Sequence, residues 1–157
     1  MLQISPSHVP GPDSPPADDD VPSIPDVIVH LHPPSPPPRH RLPGERGGLV
    51  HRFSIVGWEG YLRCGVYQDG SLGEIFIKMS KTGSNISGLM DSFATAISIA
   101  LQHGVPLEDL AAKFIGARFE PFGLTQNPEI RTTTSIIDYV FRFLLMRFSH
   151  APSTPAT

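Results

Sequence analysis

The sequence predicts an α+β domain: a three-stranded antiparallel sheet with about three helices packed on one face, preceded by a disordered proline-rich tail. Three observations carry this expectation. Of the 18 prolines, 13 lie before residue 45. The stretch from Val50 to Lys81 alternates apolar and polar residues around an Asp-Gly pair. From Ser87 onward, apolar residues return at three- and four-residue intervals.

Residues 1–48 read as the tail. Proline at this density removes amide donors and blocks helix and sheet, and few large apolar side chains remain to offset ordering entropy. Six acidic residues stand against three arginines there, so the tail is acidic, whereas residues 49–157 balance nine acidic against nine basic residues. Within the tail, PPSPPPRHR (residues 33–41) favours a polyproline helix, and Pro34, Pro37 and Arg39 have the spacing that proline-reading grooves recognise. A solvated spacer is the preferred account of it. His30, His32 and His40 lack any nearby carboxylate or thiol, and no metal site is assigned to them.

The domain is expected over residues 49–149, with a second disordered tail over 150–157. Asp69-Gly70 is read as a two-residue type I′ turn, since both positions tolerate positive φ. That turn sets Cys64 opposite Ile75 and Leu62 opposite Ile77. Leu62, Cys64, Val66, Ile75, Ile77 and Met79 then share an apolar face, while Tyr61, Arg63, Tyr67, Glu74, Phe76 and Lys78 share the other. His51–Val56 is the third strand, joined through Gly57-Trp58-Glu59-Gly60.

Leu89, Phe93, Ile97 and Leu101 mark the buried stripe of a first helix that Gly104 stops. Pro106 opens a second, with Leu107, Leu110, Ala111 and Phe114 on its apolar side. A loop spans Ala117–Arg131. The last helix carries Ile136, Ile137, Val140, Phe141, Leu144, Leu145 and Phe148, an arc wide enough for burial on more than one side.

Composition excludes several classes. A near-neutral domain has no basic stripe for nucleic-acid phosphates, so no direct nucleic-acid partner is expected. One cysteine, Cys64, permits neither an intramolecular disulfide nor a thiolate zinc cage. No apolar run is long enough to span a bilayer and no secretory leader is visible, so no membrane partner and a cytoplasmic location are expected. Hydrolase-elbow and zinc-protease motifs are absent. The strongest anion-site candidate is KTGSNISG (residues 81–88), where Lys81, Gly83 and Ser84, with Lys78 close by, could contact a phosphate or nucleotide; the spacing is not that of a P-loop, and a capped strand-to-helix connection explains it as well. Arg118 and Glu120, in the RFEPFG loop, are further contact candidates. Glu74 and Lys78 read as a solvated pair, Asp91 as a helix-dipole partner, and His103 as an aid to a helix C-terminus.

The run GEIFIKMSKTGSNISGLMDSFATAISIALQHGVPLEDLAAKF, followed by RFEPFGLTQNPEI and SIIDYVFRFL, closely resembles the C-terminal TSCPD domain of vitamin-B12-dependent ribonucleoside-diphosphate reductases. The resemblance covers roughly residues 50–148. The Thr-Ser-Cys-Pro-Asp run that names the domain reads here Thr134, Ser135, Ile136, Ile137, Asp138; Thr133 or Thr134 is expected to cap the last helix, with Asp138 near its positive end.

The resemblance implies a stand-alone accessory module of deoxyribonucleotide synthesis. Reductases of this family need several thiols, so with one cysteine no catalytic residue is assigned and the chain alone is expected to be inactive. Adenosylcobalamin would belong to a larger cobalamin-dependent reductase chain acting as partner, and no cofactor is expected here. A small nucleotide-binding or regulatory domain, or an interaction scaffold using the proline-rich arm, are the alternatives.

Overall fold

A computed structural model describes residues 35–80 and 85–149. The chain divides into Met1–Ser35 and Pro36–Thr157, and every element named below belongs to the second unit. Pro34, His30, His32, Lys81, Gly83, Ser84 and residues 150–157 lie outside the described residues. Strands β1 (Gly48–Ile55), β2 (Trp58–Val66) and β3 (Leu72–Met79) form an antiparallel sheet in that order. Helices α1 (Asn85–Gln102) and α2 (Leu107–Phe114) follow. A short pair, β4 (Gly123–Leu124) with β5 (Thr132–Thr133), then leads into α3 (Ile136–Phe148).

The expected hairpin register is present, with Cys64 opposite Ile75 and Leu62 opposite Ile77, although the turn differs. Tyr67 donates its amide to Ser71 O, so the loop holds Gln68, Asp69 and Gly70, and only Gly70 has positive φ. This is the three-residue type of hairpin turn, a turn followed by a left-handed glycine. It shifts the register by one, and a bulge between Gly65 and Val66, which leaves Gly73 as the extra residue on β3, shifts it back. The two-residue turn is instead Val56-Gly57, with φ of 43° and 83° and Ile55 paired with Trp58. A β-branched residue at positive φ is strained. Val56 N–H donates to Leu124 O at 2.9 Å, which ties this turn to β4.

The sheet is two-faced. Phe53, Ile55, Leu62, Cys64, Ile75, Ile77 and Met79 point inward and form one core with the helices, while Val50, Tyr61 and Phe76 point outward and are exposed. Helix α1 packs through Met90, Ala94, Ile97 and Leu101, with Phe93 half-buried. Leu89, expected in the stripe, is exposed: the buried face centres on positions 87, 90, 94, 97 and 101, which turns Leu89 to solvent. Ser98 Oγ accepts Ile75 N–H at 2.9 Å and lies 3.0 Å from Ile75 O and 2.8 Å from Ala94 O, so one hydroxyl joins α1 to the outer edge of β3. Gln102 donates its amide to Gly73 O on the same edge. At the C-terminal end of β1, Gln126 N–H donates to Ser54 O beside an Ile55–Thr125 bridge.

Gly104 ends α1 with φ of 85°; Val105 N–H reaches Ala100 O and Gly104 N–H reaches Leu101 O, the double closure that a left-handed glycine permits. His103 at this end turns its ring to Pro37 O rather than to the helix carbonyls. Contacts with the domain begin at Pro37, ahead of Leu49. Arg39 donates to Gln102 Oε1, His40 N–H to Gln102 O, and Tyr67 O–H to His40 O, with the His40 and Tyr67 rings stacked. Residues 36–47 thus lie against the domain as a strap.

Candidate functional site

The residues that stand where the family motif would be are those at the start of α3. Ser135, fully buried, is the N-cap: its side chain accepts from Asp138 N–H at 3.0 Å, a role expected of Thr133 or Thr134. Thr133 and Thr134 serve a different partner. Asp138, only 3% exposed, accepts from Thr133 Oγ1 at 2.7 Å, from Thr134 N–H at 3.1 Å and from Gly116 N–H at 2.8 Å. Arg142, one turn later, approaches to 3.5 Å. Burial by itself pushes the Asp138 carboxyl up, but the donors from Gly116, Thr133 and Thr134, with Arg142, outweigh it and hold the group below its ordinary value. Asp138 is therefore the hub of a clasp joining the α2 exit, β5 and α3, and not only a partner of the helix dipole. Ile136 is fully buried and Ile137 half-buried against the core, so apolar packing fills the two central positions of the run.

The other sequence candidates are not brought to one place. Lys78 lies on the outer sheet face and pairs with Asp91 at 2.8 Å, whereas Glu74 pairs with Arg46; the expected Glu74–Lys78 pair does not form. Arg118 and Glu120 are exposed in the loop after α2, where the Arg118 guanidinium lies over the Phe122 ring, 4.7 Å from its centre. Cys64 is 4% exposed, and burial pushes its thiol up to about 12, which leaves it protonated at neutral pH. A buried protonated thiol is inert as a nucleophile.

Two clefts emerge that the sequence did not indicate. The first opens on the outer sheet face, where Gly48 and Gly65 are adjacent in the register; its volume is about 310 Å³, and Arg46, Arg63, Glu74, Phe76 and Lys78 line it. The second, about 420 Å³, runs between β1 and the 126–129 loop. There His51 Nε2 lies 2.9 Å from Tyr139 Oη, to which Asn127 also donates, and the His51 ring stacks on Phe143 at 3.9 Å. Burial, then the Arg147 charge, lowers the His51 pKa, so the ring is neutral at pH 7. Alternation marked His51 only as a strand residue, and Tyr139 lay on the helix face where no apolar stripe was expected. Among the described residues, no group of three His, Cys, Asp or Glu is placed to hold a metal, and no helix is long and apolar enough to cross a membrane.

Adenosylcobalamin, which the resemblance implies for the reductases, does not fit either cleft. A drug-sized ligand takes about 300–1,000 Å³. A corrinoid with its nucleotide arm is larger than that, and the one imidazole lining a cleft is already committed to Tyr139 and Phe143.

Comparison with known proteins agrees with the reading of the motifs. The family model of the TSCPD domain matches residues 39–147, a span that includes the strap from Arg39. A vitamin B12-dependent ribonucleotide reductase of Rhodopirellula baltica is 55% identical over 112 residues, which are 71% of this chain and 11% of that protein. The reductase of Streptantibioticus cattleyicolor is 50% identical over 112 residues, 19% of its length, and that of Agrobacterium fabrum 45% identical over 111 residues, 9% of its length. The chain thus spans about a tenth to a fifth of the length of the relatives it matches. No solved structure matches. The chain belongs to the TSCPD domain family, which here is related to vitamin B12-dependent ribonucleotide reductases.

Proposed function

We propose that this chain is a non-catalytic accessory module of ribonucleotide reduction, working with a larger catalytic polypeptide that carries the cobalamin and the reacting thiols. The observation that carries the reading is the state of Cys64. It is the sole cysteine of the sequence, it faces the core, and its thiol is held protonated. Radical reduction of a ribose with a dithiol as reductant needs several accessible cysteines, and this chain cannot supply them. The resemblance to one limited portion of the reductases supports a role beside their chemistry, hence in deoxyribonucleotide supply for DNA synthesis and in the cytoplasm.

The test is co-isolation. Tagged full-length chain recovered from its native source is expected to bring down a vitamin B12-dependent reductase polypeptide, and adding it to that polypeptide is expected to change the rate of deoxyribonucleotide formation. Purified chain with adenosylcobalamin and dithiothreitol is expected to form none. Turnover by the chain alone, or repeated recovery without a reductase, would falsify the proposal.

A further inference from the structure

We propose that two copies of this chain pair through the open edge of β1, antiparallel about a twofold axis at Val50, so that their sheets join into one. In the ladder with β2, successive residues of β1 turn their backbone groups alternately toward β2 and away from it. Ser54 O accepts Gln126 N–H, so position 54 points away, and positions 52, 50 and 48 follow at intervals of two. Among the described residues nothing bonds the amides or carbonyls of Gly48, Val50 and Arg52 on that side, and all three residues are exposed. The opposite margin offers no equivalent: beyond Ile75, the outward positions Ile77 and Met79 of β3 are 0% and 3% exposed.

A second copy fits this edge because the edge is complementary to itself. With Val50 on the axis, Val50 faces the partner's Val50, Arg52 faces the partner's Gly48, and each opposed pair exchanges two backbone bonds. All three open positions are used, and Ser54, already occupied by Gln126, is left alone. An axis at His51 would instead bring Gly48 against the partner's Ser54. Val50, 64% exposed, gains an apolar neighbour on the axis. The charges also match. Gly48 and Gly65 are adjacent in the register and Glu74 follows on β3, its carboxylate folded back over Gly65. That position lies two strand spacings from the partner's Arg52, about 10 Å, a gap the arginine and glutamate side chains span together. The cleft of about 310 Å³ at these glycines is the seat of the partner's arginine. Arg46 engages Oε1 of Glu74 and leaves Oε2 for it, and Arg52 gives up only an exposed pair with Glu59. On the inner face the same register lays the partner's Leu49 across His51, at the margin of the second cleft.

Sedimentation velocity of the full chain across a concentration series tests this, and a dimer is expected. Val50→Lys opposes two ammonium groups on the axis and should weaken it about tenfold or more. Arg52→Glu, which brings two carboxylates together, should act in the same direction, whereas Phe76→Ala, on the far strand, should change nothing. Register is read by cross-linking. Cα atoms of a hydrogen-bonded antiparallel pair lie about 5.5 Å apart, within disulfide range, so Val50→Cys oxidised with diamide should give a covalent dimer on a non-reducing gel. Arg52→Cys, whose two copies lie four residues apart along the strands, should not, and Cys64 is buried. Val50, Arg52 and Phe76 are exposed, so the variants should keep the wild-type circular dichroism spectrum. A monomer at every concentration, a dimer indifferent to Val50→Lys, or cross-linking at 52 as efficient as at 50 would each overturn the proposal. No reductase takes part in these measurements, so this contact and the accessory role can fail independently.

Discussion

Replacing Asp138 by Asn tests whether the clasp at the start of α3 is held by hydrogen bonds or by charge. The carboxylate receives the Gly116 amide on Oδ1, and the Thr133 hydroxyl, the Thr134 amide and the distant Arg142 on Oδ2. An asparagine has one acceptor oxygen. With it at the Oδ2 position, the new amide group faces the Gly116 N–H; flipped, it faces Thr133 and Thr134. Either way at least one donor is left facing another, at about 1–3 kcal/mol. The surviving bonds also lose their charge assistance, so about 2–4 kcal/mol is expected in total. At roughly 4–8 °C per kcal/mol for a domain near this size, Tm should fall by about 10 °C or more. Arg142→Ala removes the long contact to Asp138 and an exposed 2.7 Å bond to Thr132 O, and should cost about 1 kcal/mol, less than Asp138→Asn. Urea unfolding followed by the fluorescence of Trp58, the only tryptophan, measures both. The pH dependence carries a second check. Since the folded-state pKa is depressed, the stabilisation from Asp138 is complete above the unfolded value of about 4 and is lost as pH falls through the folded one. The gap between wild type and Asp138→Asn should therefore narrow below about pH 4. An Asn variant within 0.5 kcal/mol of wild type, or one no worse than Arg142→Ala, would refute the reasoning.

Val56→Asn should stabilise the protein by about 0.5–1 kcal/mol, because asparagine accepts the left-handed conformation that valine is forced into; an unchanged or lower Tm in differential scanning calorimetry would count against strain at this turn. Cys64 should resist iodoacetamide at pH 8 in the folded chain and react fully in urea, as mass spectrometry would read directly. His51 is neutral in the folded state, its pKa lowered, so the unfolded chain takes up a proton first; stability should drop as pH falls below about 6.5, and His51→Gln should flatten that drop in urea midpoints measured against pH.

The inward face of the β2–β3 hairpin was legible because period-two alternation and one turn sufficed to set it. The turn itself was read differently from what forms, yet the register came out the same: the third loop residue and the bulge at Gly73 offset each other, and only hydrogen bonding distinguishes the two arrangements. Leu89 misled for a simple reason. It fits a four-residue repeat with Phe93, Ile97 and Leu101, but the true stripe includes Ser87 and Ser98, small polar residues that a hydrophobic count passes over. Asp138 was recognisable as a residue near a helix start. Its role depends on Gly116, 22 positions away in sequence, which no local pattern reveals. The same holds for the strap, where proline content suggested a free tail while Arg39 and His40 find their partners on Gln102. Neither cleft was visible, since each is assembled from segments distant in sequence.

The hydroxyl of Ser98, the amide of Gln102 and the backbone of the 124–126 segment have one consequence in common. They occupy the outward hydrogen-bonding groups of β3 at Gly73 and Ile75, of β1 at Ser54, and of Val56 in the turn that follows it. Unpaired strand edges are where sheets extend into neighbouring molecules. Here growth by adding a strand is hindered at the start of β3 and at the end of β1, whereas β1 before Phe53 and β3 beyond Ile75 carry no such cover among the described residues. A partner that meets either covered stretch does so through side chains, so recognition there can be altered by substituting outward-facing residues without disturbing the backbone that carries them.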